Sequence, residues 1–243
     1  MKIFSFIGSP RGVKSDTYKL VKKIINKAKQ KTKVDIEYDI FTSSKFTIKN
    51  CRGCTECFFR GNCKLDKVDN FDLIKKKMLE ADMIILGSPV YAATVSAQMK
   101  TFIDRLAYWA HLFILAGKPV VTVVTASSNS LSPTNEYLKK IVGHMGAEVI
   151  TSIMCTVDMP PMLELSEFNE EELPKHIELI VEYINGEKKV KSTEFHENVF
   201  QYYKKLYSVS MDIETSETKF WKESGYLVCN TFQDVLNKVH KSS

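Results

Sequence analysis

Cys51, Cys54, Cys57 and Cys63 lie within thirteen residues, spaced C-x2-C-x2-C-x5-C. Thiols this dense serve metal or redox chemistry when they stay reduced, and four converge only if the loop wraps a compact object. The run resembles those that ligate [4Fe–4S] clusters, and Gly53 and Gly61 ease the tight backbone path. Zinc is a second reading, but it prefers paired C-x2-C knuckles with a longer spacer. Unmetallated thiols, structural or singly reactive, are the third. Cys155 and Cys229 stand alone and read as small core residues.

A second set of residues points to an anion. The segment Gly8-Ser9-Pro10-Arg11-Gly12-Val13-Lys14-Ser15-Asp16-Thr17 leaves an apolar run and opens a helix. Free N–H groups and the positive end of a helix dipole attract phosphate there. Ser9, Ser15 and Thr17 add hydroxyl donors and Arg11 adds charge. The segment has neither the G-x-G-x-x-G nor the Walker pattern, which argues against a dinucleotide or a nucleoside triphosphate. The plainer alternative is a helix merely capped by Ser15 or Asp16.

Two more segments extend the set. Gly87 to Ser96 carries Pro89, Val90 and Tyr91, apolar groups suited to a flat aromatic ring. Lys100, Asp104 and Arg105 follow, and Arg105 reads as a surface or helix-pairing residue. Ser127, Ser128 and Asn129 are small polar residues able to hydrogen-bond the edge of a ring, although such residues make turns everywhere. The five histidines are scattered and no Ser-His-Asp arrangement stands out. No side chain is therefore assigned as catalytic, as expected where a cofactor carries the chemistry.

The elements that must position these residues alternate. Apolar runs at 2–7, 34–41, 83–86, 119–125 and 148–157 read as strands. Helical spacing covers 16–31, 71–81, 96 to about 115, 134–145 and 170–184. Residues 42–69 have no regular period. Five strands alternating with helices imply right-handed crossovers and a doubly wound five-stranded parallel sheet, with ligands at the carboxyl ends of the strands. Residues 187–194 read as a polar linker, dividing a domain over 1–186 from a helical C-terminal extension over 187–243 rich in aromatics.

With 243 residues, 44% hydrophobic and 26% charged, the chain has the composition of a soluble globular protein. Much of the net charge of +5 comes from Lys22 to Lys33, a solvated helix face, and no basic cluster interleaved with aromatics points to nucleic acid. No run approaches the ~20 apolar residues of a membrane span. The expectation is a cytoplasmic protein whose thiols stay reduced.

The motifs together resemble a known family. Gly8-Ser9-Pro10-Arg11 with Ser15 and Thr17, then Gly87-Ser88-Pro89-Val90-Tyr91 and Ser96 through Arg105 (Ser-Ala-Gln-Met-Lys-Thr-Phe-Ile-Asp-Arg), resemble the NADPH-dependent FMN reductases over roughly residues 1–185. That resemblance implies a flavodoxin-like fold with strand order 2-1-3-4-5. It places the FMN phosphate on Ser9, Arg11, Ser15 and Thr17, and the isoalloxazine against Pro89, Val90 and Tyr91. Relatives often have a glycine-rich third loop, from which Ser127-Ser128-Asn129 departs. The resemblance also implies NAD(P)H as electron donor, a small-molecule acceptor such as a quinone, nitroaromatic or flavin, and a homodimer or homotetramer. The cysteine run resembles the iron–sulfur flavoproteins of the same fold, implying a second function: one-electron transfer from a ferredoxin-like donor. A third is a non-redox module for another phosphorylated ligand. The C-terminal aromatics are expected to dock on the domain or to cover the flavin of a neighbouring subunit.

Overall fold

The computed structural model describes residues 1–157, 168–210 and 212–242. Its strands are β1 (Lys2–Ile7), β2 (Glu37–Thr42), β3 (Met83–Tyr91), β4 (Thr94–Val95), β5 (Pro119–Ala126) and β6 (Glu148–Thr156). β2-β1-β3-β5-β6 lie side by side and parallel, and β4 folds back antiparallel on the end of β3. Without the two-residue β4, the parallel order is the expected 2-1-3-4-5. β-Branched residues dominate β5, where Val120, Val121, Val123 and Val124 are all buried. A parallel strand covered by helices on both faces needs this composition.

The helices are α1 (Asp16–Lys31), α2 (Glu56–Arg60), α3 (Asp66–Asp69), α4 (Phe71–Glu80), α5 (Ala97–Arg105), α6 (Leu131–His144), α7 (Leu173–Ile184), α8 (Glu194–Val209), α9 (Ser216–Glu223) and α10 (Phe232–Ser242). α1 and α7 cover one face of the sheet, burying Leu20, Val21, Ile24, Ile177 and Ile180. α4, α5 and α6 cover the other with Ile74, Met78, Met99, Phe102, Leu138 and Val142.

Several boundaries differ from the sequence expectation. The long helix expected over 96 to about 115 ends at Arg105 and continues as a 3-10 turn over Ala107–His111. Tyr108, Trp109, Leu112, Phe113 and Leu115 are all buried, and Phe113 takes a left-handed φ of 49°, which a regular helix does not allow. β3 runs on past Leu86 to Tyr91 because Gly87, Ser88 and Pro89 stay paired with β5 and β4 pairs with Val90 and Tyr91. The segment without period holds two short helices, α2 and α3. Before α7, residues 168–172 form a π turn rather than the first turn of the α-helix.

The C-terminal helices share the core of the sheet. Phe200 of α8, Trp221 of α9 and Phe232 of α10 surround Phe113, with ring centroids 5.1–6.2 Å away. The linker is tied down as well. Val190 is buried, and the Lys191 N–H donates to the Glu148 carboxylate at 2.9 Å. His196 Nε2 donates to the Ala147 carbonyl at 3.1 Å, and burial holds this imidazole below its ordinary pKa. No helix among the described residues is long and apolar enough to cross a membrane.

Candidate functional site

Sheet register brings the three loops together. Ile7 pairs with Gly87, and Ser88 with Val124, so the chain leaves β1, β3 and β5 side by side. The Gly8 N–H donates to the Gly87 carbonyl at 2.8 Å, the Ser96 hydroxyl donates to the Gly8 carbonyl, and the Ser96 N–H donates to Ser88 Oγ at 3.1 Å. Gly8 lies so close to α5 that a Cβ there would sit 2.6 Å from the Met99 Cβ.

Within the first loop the predicted residues take distinct places. Ser9 is buried, and its carbonyl accepts from the Gly12 N–H and the Ser43 hydroxyl. Ser15 caps α1: its Oγ accepts from the Tyr18 N–H at 3.2 Å and donates to the Gly12 carbonyl at 2.8 Å. The Asp16 and Thr17 N–H groups sit in the first helical turn, where no intrahelical acceptor exists. The Asp16 carboxylate, which would repel an anion, is offset by Arg11 at 3.6 Å and Lys19 at 2.9 Å. The Thr17 hydroxyl is buried against Thr125 Oγ1 at 2.6 Å, so this residue offers a phosphate its N–H before its side chain. Orphan donors, a glycine cradle and flanking cations fit the phosphate of FMN. Ser15→Ala is expected to cost about 1 kcal/mol of stability without FMN. It should cost more with FMN bound; equal losses in paired thermal melts would leave Ser15 as a cap only.

The second loop is a two-residue hairpin, with Val90 paired to Val95 and Tyr91 to Thr94. Its tip, Ala92-Ala93, has φ of 47° and 64°, a conformation usually left to Asn and Gly. Alanine there carries strain of the kind that gathers at ligand-binding loops. Pro89 lies on the same strand before the tip, and Tyr91 is 43% exposed. Ser127, Ser128 and Asn129 are exposed, and Asn129 Oδ1 accepts from the Ser130 hydroxyl at 3.2 Å.

The cysteines sit beside these loops. Cys51 and Cys54 are exposed, Cys57 and Cys63 half-buried, and all four thiols are free. Burial, and then the neighbouring Cys63, Cys51 and Cys54, push the Cys57 thiol up to about 11. Among the described residues, no three His, Cys, Asp or Glu side chains are drawn close enough to hold a metal ion. The donor chemistry fits an iron–sulfur cluster; the ligand geometry is not drawn in here. A cavity of about 280 Å³, lined by Ser43, Phe46, Ile48, Asn50, Gln98 and Thr101, separates the cysteine segment from the first loop. Ser43 reaches that loop through Ser9, and Asn50 adjoins Cys51 and accepts from the Thr101 hydroxyl at 3.1 Å.

Buried ion pairs with no sequence signature hold the cysteine segment. Arg105, assigned above to the surface or to helix pairing, has a fully buried side chain and joins α5 to α3. It donates to Asp66 at 2.6 Å, to Asp69 at 2.5 Å and to the Lys49 carbonyl at 2.8 Å. Lys75 donates to the other Asp66 oxygen at 2.6 Å. Burial works against the charge on Arg105 and is outweighed by Asp69 and Asp66, so its pKa is raised. Asp69 is likewise pushed up by burial, yet Arg105 and the Lys49 N–H hold it below the ordinary carboxylate range. On the far side, Ser216 of α9 donates to the Phe58 carbonyl at 2.9 Å, and the Phe58 ring lies 4.9 Å from that of His111.

Residues 1–159 match the family described as NADPH-dependent FMN reductase. An iron-sulfur flavoprotein of Methanocaldococcus jannaschii is 40% identical over 105 residues, 43% of this chain and 51% of that protein. One from Archaeoglobus fulgidus is 39% identical over 121 residues, 49% of this chain and 51% of that protein. The chain thus spans about half the length of the curated relatives it matches. The apo structure of an NADH:FMN oxidoreductase superposes with a TM-score of 0.53 at 19% identity, covering 79% of this chain and 91% of that one, a likeness of fold.

Proposed function

Since the chain belongs to the NADPH-dependent FMN reductase family, we propose that it is a flavin-dependent electron-transfer oxidoreductase that holds FMN on the three loops and a [4Fe–4S] cluster on Cys51, Cys54, Cys57 and Cys63. The observation that carries this reading is the fixed cysteine segment, with four free thiols, one cavity away from the first loop. Six curated relatives are named iron-sulfur flavoproteins, which favours the cluster over zinc or bare thiols.

Bound FMN and cluster supply two-electron and one-electron chemistry respectively. The protein's own part is placement. The α1 N-terminus, Ser9 and Ser15 hold the phosphate, with Arg11 as counter-charge. Pro89, Val90 and Tyr91 wall the ring from the hairpin, and Ser127, Ser128 and Asn129 reach its polar edge. Electrons come from a ferredoxin-like donor and leave to a small acceptor. The reduced thiols this requires suit the cytoplasm, and the assembly in this reading is a homodimer or homotetramer. A second reading keeps NAD(P)H as the donor, favoured by FMN-dependent NADH:quinone oxidoreductases of Xanthomonas at 25% identity.

Protein purified without oxygen should show two flavin bands on a broad shoulder that dithionite bleaches, with about four irons per chain. A clean flavin spectrum without iron would defeat the cluster. Rapid bleaching by NADH alone would move the assignment to the second reading. A colourless protein that takes up no added FMN would defeat both.

A further inference from the structure

Arg105 uses its guanidinium unevenly. Nη1 donates to the Lys49 carbonyl and Asp69, and Nη2 to Asp66 and Asp69. Its Nε–H, on a side chain with no exposed surface, has no acceptor among the described residues. A buried charged donor without a partner forfeits its hydration with nothing in return, and such a group asks for an explanation. The surroundings offer one. Lys49 stands two residues before Cys51, and Asp66 three residues after Cys63, so the Nη atoms bind both feet of the cysteine segment. The Asp66 N–H in turn donates to the Cys63 carbonyl at 3.0 Å, so the carboxylate held by Nη2 belongs to the turn that carries Cys63.

We propose that Arg105 is the positioning residue of the cysteine site: its two Nη atoms clamp the feet of the segment, and its Nε–H donates to the sulfur of Cys63 once that sulfur ligates the cluster. The inference rests on the cluster reading above. An N–H···S bond to a ligand sulfur stabilises the more negative, reduced state and raises the reduction potential. The Nε–H thereby gains its missing acceptor, and the cluster gains a buried cation.

The test is Arg105→Lys in anaerobically purified holoprotein, followed by iron content, flavin content and an EPR-monitored redox titration. Lysine keeps the charge and loses the fork. The expected result is retained flavin, partial iron loss on gel filtration, and an approximately tenfold shift of the reduction equilibrium toward the oxidised cluster, about 59 mV for one electron. An iron-loaded variant with unchanged potential and EPR line shape would overturn the role of Arg105 and leave the cluster standing. Wild-type protein without iron would overturn the cluster and the hydrogen bond together. Should Arg105→Lys fail to fold, a second variant decides the matter. Arg52→Lys with Arg60→Lys removes the two exposed arginines of the segment and keeps Arg105. With ¹⁵N-labelled arginine, pulsed EPR of its reduced cluster should show a ¹⁵N coupling, and a spectrum without one would overturn the proposal.

Discussion

A chain ended after Gly186 will not form a folded flavin domain; it will lose its cooperative thermal transition and elute as aggregate. Phe200, Trp221, Phe232, Val235 and Leu236 are all 0% exposed, and they cover Trp109, Leu112, Phe113 and Leu115. The ordering cost of the C-terminal segment leaves with it, but the surface it covered stays behind. Baring four large apolar side chains removes on the order of 6–12 kcal/mol, comparable with the 5–15 kcal/mol that holds a whole domain. The cysteine segment loses Ser216 as well. Circular dichroism melts and gel filtration of the shortened chain decide it. A cooperative melt within a few degrees of the full-length protein would show that 1–186 stands alone.

Gly8→Ala should have the second large effect, on flavin retention. A Cβ at this position meets the Met99 Cβ at 2.6 Å and its amide nitrogen at 2.9 Å. That nitrogen belongs to the first turn of α5 and donates to Ser96 Oγ, so relief requires the backbone to move. Overpacking of this kind costs about 1–3 kcal/mol. The displacement falls between the first two loops, so FMN affinity should drop at least tenfold. Gly53→Ala is the matched control. Unlike Gly8, Gly53 has a left-handed φ, 64°, and nothing lies within 4 Å of its would-be Cβ. It should lose up to about 2 kcal/mol and keep its flavin. Fluorescence titration with FMN separates the two, and equal affinities would remove Gly8 from the site.

The parts of this molecule legible in its sequence were those where one local pattern has one structural solution. β1 reads as a buried strand because its residues are apolar and a glycine-proline turn follows. α1 reads as a helix because Leu20, Val21, Ile24, Ile25 and Ala28 keep helical spacing, and they are the residues it buries. The three loops could be placed because they follow strands. Past Arg105 the rule fails: Leu106, Trp109, Leu112 and Phe113 continue a helical apolar spacing while the backbone turns, and what covers them comes from nearly a hundred residues later. Arg105, Asp66, Asp69 and Lys75 were illegible for another reason. A charged residue buried in a network looks the same in sequence as one in water. Thr17 was half legible: its position in the first turn could be read, whereas the pull of Thr125 on its hydroxyl could not.

The aromatic packing around Phe113 also bears on how the protein comes off the ribosome. Phe113 sits on the crossover between β3 and β5, and Leu236 belongs to the last helix that closes over the same cluster. About 120 residues separate them, roughly 6–25 s of synthesis at ~5–20 residues per second. Late in that interval β5 and β6 can join β1 and β3, while a wall of Trp109, Leu112, Phe113 and Leu115 waits uncovered. The nascent chain therefore carries a sticky face while about half of these residues are made, and a holdase that recognises exposed aromatics has its window there.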